Sequence, residues 1–401
     1  MKCLTYTAIV FILFTRCGYE LPTQYSRIDE TVRNIVFVYD NNGLAEGAPG
    51  DIVGVNAYFA GDNISNANWS VSTGIVYGTI LEKDSLIDSL DLAELMVPGS
   101  YRRSRGLTGD TVHFEIIIPE NIIRKRFGGI ASMSSLMPPG LDKNTTKALD
   151  SISPLEVIDI LEMLGDNSGR FDPAAINFIV YSMFGDSTEN AWRLFTFVLQ
   201  ALTVNMRFFV EVNGVHEVES IFSVRYNRKL KHLNRMITVN RNPGIYQVRL
   251  NIKDQQKARS GSEKGLDTTI VLRENLMNII DIHEGCSYYL TVSIDGSTRD
   301  SGMEYNCNGQ RGVEKYMSEW FYKNNSSLPG ADKNKQLIIE KKIGSSQVRL
   351  FPPADTEMEE FCIWVVITDY FFGERLRPAG FATKAFSGRF RYSEEYKKKH
   401  R

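Results

Sequence analysis

Apolar and polar residues alternate with a period of two along much of this chain. Val53, Val55, Ala57 and Phe59 share one side of a segment whose other side carries Gly54, Asn56 and Tyr58. That spacing predicts a half-buried strand. Val112, Phe114, Ile116 and Ile118 repeat the pattern and stop at Pro119. Residues 35–39, 69–72 and 74–81 read in the same style, and Ala48-Pro49-Gly50-Asp51 supplies turn chemistry between them. Short strands punctuated by turns predict a β-sandwich over residues 34–119.

The period then changes. Ser153-Pro154-Leu155-Glu156 is a capping box with proline at the first helical position. Val157, Ile158, Leu161 and Leu164 give the following helix one apolar face. Asp172-Pro173 opens a second helix carrying Ile176, Ile179, Val180 and Met183. Asp186, with Glu189 behind it, opens a third that carries Trp192, Phe195, Val198, Leu199 and Leu202 and is apolar on most sides, so it is expected to be buried. Residues 120–204 therefore predict a three-helix insertion or small helical subdomain.

Strand pattern returns at residues 206–212 and 221–226, on either side of Asn213-Gly214, a strong hairpin signal. This hairpin, residues 205–227, is expected to complete the first sandwich. Residues 228–238 read as a linker. A second sandwich is expected over 239–392, with strands near 246–252, 268–272, 286–294, 315–322, 336–340, 347–351, 361–369 and 382–392. Cys286, Tyr288, Leu290, Val292 and Ile294 share one face of their segment. The fold class is thus mainly β: two sandwiches with a helical insertion, followed by a basic tail at 393–401.

The N-terminus has a different character. Lys2 precedes an apolar run over residues 4–14, and Cys17 follows closely. A charged start and a short apolar core are the parts of an export signal. The run is too short for a membrane-spanning helix. Phe14-Thr15-Arg16-Cys17 resembles a degenerate lipobox of bacterial lipoproteins, with Arg16 where that family carries a small residue. The resemblance implies that residues 1–17 are a signal peptide and that the Cys17 thiol takes lipid. Residues 18–33 then tether the body, and the protein is held on a membrane of the bacterial cell envelope, periplasmic or at the surface.

Charge narrows the partners. The formal net charge is −2, which is no footprint for nucleic acid. Local basic clusters stand at Arg102-Arg103-Ser104-Arg105, Arg228-Lys229-Leu230-Lys231 and Lys397-Lys398-Lys399-His400-Arg401, read here as solvated loops and a frayed tail. Contact with acidic lipid or glycan is their sharper use. The histidines, His113, His216, His232, His283 and His400, never fall three or four residues apart, so no metal site is expected. Residues 166–172 are oxygen-rich, but glycine and acid fall at the wrong positions for a calcium loop; a turn capped by Asp172 is the better reading. No nucleophile elbow, P-loop or dinucleotide fingerprint occurs. No catalytic residue and no cofactor are assigned.

The C-terminal half resembles bacterial immunoglobulin-like or PKD-like domains. The residues that carry this are 287–293, Trp320 within 316–322, Leu350-Phe351-Pro352-Pro353-Ala354, and 363–369 with Gly373 beyond. Gly50-Asp51 and Trp69-Ser70-Val71 echo it in the first half. The resemblance implies binding, spacing or adhesion rather than catalysis. It also implies a disulfide between Cys286 and Cys362 beside Trp320; Cys286 with Cys307 is the rival pairing, and three reduced thiols the remaining one. The expected function is that of a non-enzymatic envelope module with protein or glycan partners. A carbohydrate-binding protein using Tyr58, Tyr101, Tyr289 or Tyr370-Phe371-Phe372 is the alternative, and a hydrolase with two carboxylates meeting in the fold is the less favoured one.

Overall fold

A computed structural model describes residues 33–60, 64, 66–75, 88–136, 143–164, 181–182, 195, 198, 201–213, 216–226, 241–254, 267–298, 314–324, 338–339, 346–353, 360–371 and 380–400. Strands dominate it. The first half contains β1 (Arg33–Asp40), β2 (Glu46–Gly47), β3 (Ile52–Ala60), β4 (Ala67–Ile75), β5 (Asp88–Leu90), β6 (Arg102–Gly106), β7 (Gly109–Ile117), β8 (Val204–Val212) and β9 (His216–Val224). They form two sheets, ordered β1-β3-β7-β6 and β2-β9-β8-β4-β5. Val53, Val55 and Phe59 from one sheet and Val71, Phe208 and Phe222 from the other lie in one buried cluster. Period-two alternation explains this, because it sends every second side chain to the same face.

Local chemistry sets the corners. Gly50 sits at φ +81 and Asn213 at φ +54, left-handed positions that these residue types tolerate best. The Asp51 carboxylate closes the 48–51 turn by accepting from Ala48 N at 3.0 Å and from the Asn41 amide at 2.7 Å. Asn213 ends β8, and β8 pairs antiparallel with both β9 and β4. The hairpin therefore belongs to the same sheet as β4.

α1 (Leu92–Leu95) precedes β6, and α2 (Ile122–Phe127), α3 (Lys143–Asp150) and α4 (Pro154–Leu164) follow β7. The capping box at the start of α4 is made: Glu156 accepts from Ser153 N at 2.8 Å, and the Ser153 hydroxyl accepts from Leu155 N at 3.1 Å. Ile123, Phe127, Leu149, Ile158 and Leu161 join the first core, as do Phe195, Val198 and Leu202. Most of the predicted second and third helices lies outside the described residues.

The second half contains β10 (Ile245–Asp254), β11 (Thr268–Val271), β12 (Met277–Ile282), β13 (Cys286–Ile294), β14 (Glu314–Asn324), β15 (Ile338–Ile339), β16 (Gln347–Phe351), β17 (Glu360–Phe371) and β18 (Phe381–Tyr392), then α5 (Glu394–His400). Its sheets run β11-β10-β13-β16-β15 and β12-β18-β17-β14. Tyr288, Leu290 and Val292 of β13 meet Ile363, Val365 and Ile367 of β17 in a second core.

Three sequence expectations need correction. Residues 102–105 are no solvated loop but an edge strand, β6, paired only with β7. Every residue of β6 is exposed, so no apolar alternation announces it. The basic tail is not frayed over 394–400. Ser393 caps α5 by accepting from Tyr396 N, and Tyr396 packs on Tyr392 at 5.2 Å. No strand is expected at residues 277–282, because Met-Asn-Ile-Ile-Asp-Ile shows no clean alternation, yet they form an edge strand parallel to β18.

The two halves touch. Ile35, Val36 and Ala60 of the first pack on Cys362, Trp364 and Val366 of the second. Asn242 latches this junction. Its side chain donates to Tyr39 O at 2.6 Å and accepts from Phe381 N at 3.1 Å, while its own N–H reaches Gly43 O at 3.0 Å.

Candidate functional site

An open groove of about 660 Å3 lies at one edge of the first unit, where β4, β5 and α1 meet. Alternation places Trp69 on the inner side of β4. Its ring stands edge-on to Phe114 at 5.0 Å and to Phe37 at 5.8 Å, so one flank of the indole is fixed by the core. Trp69 also lines the groove, together with Leu90, Leu92, Met96 and Pro98. Asp91 caps α1 by accepting from Ala93 N at 2.9 Å, which turns the chain and sets the groove floor. The carboxylate is thus engaged in the turn. Met96 forms a bridge with Ile116, and Val97 N donates to Glu115 O, so the far wall is anchored to β7. An aromatic ring, a thioether and aliphatic groups suit an apolar or sugar-ring ligand by contact; among the described residues the lining holds one carboxylate, Asp91.

The aromatic residues expected to form a row are dispersed. Tyr58 packs in the junction between the halves. Tyr101 stacks on Phe114 at the edge of the first core, 6.5 Å between ring centres. Tyr289 lies in the second unit under the Lys253 ammonium. Phe372 and the side chains at 370–371 lie outside the described residues. Sequence reasoning missed the groove because its parts come from three short elements, only one of them a clear strand.

The disulfide implied by the immunoglobulin-like resemblance is not made. Cys286 and Cys362 are both free thiols. The reason is geometric. Ile363 and Val365 face the second core, so Cys362 and Trp364 face the opposite way, into the junction. Cys286 packs against the second core itself. Burial pushes the Cys362 thiol up to about 11, the nearby Lys323 offsetting part of the rise. Burial also raises Cys286, helped by Asp254 and Asp267. Cys307 and Cys17 lie outside the described residues, as does the oxygen-rich stretch 166–172. His113 sits on the outer face of β7, its Nδ1 2.9 Å from the Asn56 amide oxygen.

Two buried or half-buried ionic arrangements hold the first unit. Arg225 meets Glu46 through Nε at 2.5 Å and Nη2 at 3.0 Å, both side chains being nearly inaccessible. Arg124 on α2 reaches Asp159 at 2.5 Å and Glu162 at 2.7 Å on α4, and the Tyr226 hydroxyl donates to Glu162 at 3.1 Å. Burial and then the Glu162 charge raise the Tyr226 phenol, so that group stays protonated as a donor. These contacts tie helices to sheet and read as scaffold. Among the described residues no group of three His, Cys, Asp or Glu side chains has the geometry of a metal site, and no helix is long and apolar enough to cross a membrane.

No protein-family model matches the chain, and no curated protein matches it either.

Proposed function

We propose that this chain is an exported lipoprotein, held at a bacterial cell-envelope membrane by lipid on Cys17 and acting as a non-enzymatic binding or structural module. The order Lys2, apolar run, Cys17 is the observation that carries this reading. In it, the two β units are immunoglobulin-like sandwiches, and the helices between β7 and β8 are an insertion into the first. The sheet pairs with shared cores support that description, as does the hairpin β8–β9 lying beside β4. The shape of the Trp69 groove also supports binding by contact rather than chemistry. A tryptophan lining an open groove favours one second reading, a carbohydrate-binding or adhesion protein, because aromatic rings serve as stacking surfaces for sugars.

Metabolic labelling with radioactive palmitate tests the anchor. Wild type is expected to take up label and Cys17→Ala to lose it. Equal labelling of the two overturns the lipoprotein reading.

A further inference from the structure

The sheet β11-β10-β13-β16-β15 turns one side to the second core, where Val248, Leu250, Leu290, Val292 and Val348 are buried. Alternation sends Arg249, Lys253, Tyr289, Thr291 and Arg349 to the other side. The register fixes their places. Arg249 is opposite Thr291, Lys253 is opposite Ser287, and Tyr289 stands between Asn251 and Arg349.

The charge on this face has one sign. Among the described residues, its three ionised side chains are Arg249, Lys253 and Arg349, and none is a carboxylate. Asp267 stands at the rim before β11, and its carboxylate accepts from Asp254 N at 3.4 Å. Elsewhere in this unit cations are matched: Arg391 meets Asp281, Arg389 meets Glu360, Lys384 meets Glu274 and Lys399 meets Glu284. On this face the cations are held by neutral groups instead. The Lys253 ammonium lies 5.6 Å from the centre of the Tyr289 ring. The Arg349 guanidinium lies 4.6 Å over the Phe351 ring, and its Nη2 donates to Ser287 Oγ at 3.3 Å. Arg249 faces the Gln247 amide, whose oxygen accepts from Nε at 2.9 Å. Such contacts position the side chains and leave further N–H groups to donate outward.

A ladder of neutral polar groups crosses the sheet between the cations. Thr269 Oγ1 donates to the Asn251 amide oxygen at 3.0 Å, and Asn251 Nδ2 donates to Thr291 Oγ1 at 2.9 Å. Gln347 Nε2 donates to the same Thr291 oxygen at 3.3 Å. Thr291 Oγ1 therefore accepts from both sides, and its own O–H remains to donate to a ligand. With strands roughly 4.8 Å apart the ladder spans about 14 Å, and Arg249 and Lys253, four residues apart on β10, are about 13 Å apart along the strand. One small anion cannot bridge that distance; a polymer with repeated negative groups can.

We propose that this face binds an acidic polysaccharide, its carboxylate or sulfate groups on Arg249, Lys253 and Arg349 and its hydroxyls on the ladder through Thr291. Guanidinium groups match such oxyanions with paired N–H donors. Other polyanions suit the face less well. An acidic peptide adds to a sheet edge through backbone groups, whereas these cations stand on a sheet face whose backbone is already paired. Single-stranded nucleic acid needs open rings for its bases, and cations cover the Tyr289 and Phe351 rings. The proposal takes the carbohydrate-binding reading to a surface other than the Trp69 groove, and it holds with or without lipid on Cys17.

The test measures binding of the full chain to polygalacturonate by calorimetry at low salt, with the methyl-esterified polymer as the neutral control. Wild type is expected to bind the acidic form, more weakly as salt rises, and not to bind the ester. Lys253→Gln/Arg349→Gln is expected to lose about tenfold in affinity, the scale of lost charge-assisted contacts. Arg249→Gln is expected to weaken binding in the same direction, and Lys253→Arg to retain it. Thermal melts matching wild type show that the variants are folded. No binding of polygalacturonate or of dextran sulfate overturns the proposal, as does equal affinity of wild type and the double variant. Binding lost in Trp69→Phe but kept in the double variant places the sugar in the groove, which overturns the proposal and leaves the carbohydrate reading standing. Equal or tighter binding of polyglutamate, single-stranded DNA or phosphatidylglycerol vesicles shows a face that reads charge without sugar, and the assignment of a polysaccharide falls.

Discussion

Replacing Arg225 by methionine is the sharpest probe of how the first unit is held. Arg225 lies just beyond β9, and its guanidinium meets Glu46 of β2, 179 positions away in the chain. The Glu46 side chain has no exposed surface and that of Arg225 only 8%. The Arg225 Nη2 donates to Glu46 Oε1 at 3.0 Å, and Nε lies 2.5 Å from Oε2. Among the described residues β2 has only two members and pairs with β9 alone, with Asn41 Nδ2 donating to Glu46 O at 3.2 Å and Arg225 N to Gly47 O at 2.9 Å. Arg225→Met keeps the aliphatic stem and removes the guanidinium from the fully buried Glu46 carboxylate, beside Gly47, where a Cβ would already strike Ile118 and Phe222. Breaking a buried pair by removing one partner costs about 3–5 kcal/mol. For a unit of this size each kcal/mol moves the melting temperature by roughly 2–4 °C, so the expected drop is about 6–20 °C. The assay is calorimetry or thermal circular dichroism at neutral pH, alongside the double variant Glu46→Leu/Arg225→Met. That variant removes both charges and is expected to regain most of the loss, because well-packed apolar replacements of buried pairs are often neutral. A single variant that melts within ~1 kcal/mol of wild type, or a double variant no better than the single, refutes the assignment of this pair as a structural tie.

The Cys362 thiol, raised by burial to about 11, is expected to resist alkylation by iodoacetamide at mildly alkaline pH in the folded protein and to react at once in denaturant. Peptide mass spectrometry reads this, and equal rates in both states would show that the thiol is not buried in the junction. The Asp281 carboxyl is held below the usual carboxylate range, chiefly by its hydrogen bonds with Arg391. The pair therefore contributes its stability above the unfolded aspartate value of about 4 and loses it as pH falls through the lower folded value. Asp281→Asn is expected to flatten this acid limb in denaturant titrations at low salt, with little effect once salt screens the exposed pair. An unchanged pH slope would refute the ion pair.

The inner faces were legible because period-two alternation is a local property. Val53–Phe59, Val112–Ile118 and the 286–294 face all carry their burial in the residues themselves. The same holds for the turns at Gly50 and Asn213 and for the cap at Ser153, since each depends on neighbours within a few positions. Nothing local distinguishes β6, whose side chains are all exposed, or β12, which is apolar on both sides. Edge strands are specified by the partner they pair with: for β6 that is the adjacent β7, and for β12 it is β18, more than a hundred residues along the chain.

By itself, then, the sequence determined which residues share a face, where the chain turns and that β structure dominates, because these follow from backbone periodicity and local hydrogen bonding. Which surface each face meets was decided only by tertiary structure. Cys362 looked like a core cysteine, but the face it occupies is covered by β1 and β3 rather than by the opposing sheet, so it cannot reach Cys286. The Trp69 groove likewise exists only where separate elements come together. Alternation fixes the parity of a side chain; packing of whole sheets fixes its neighbour.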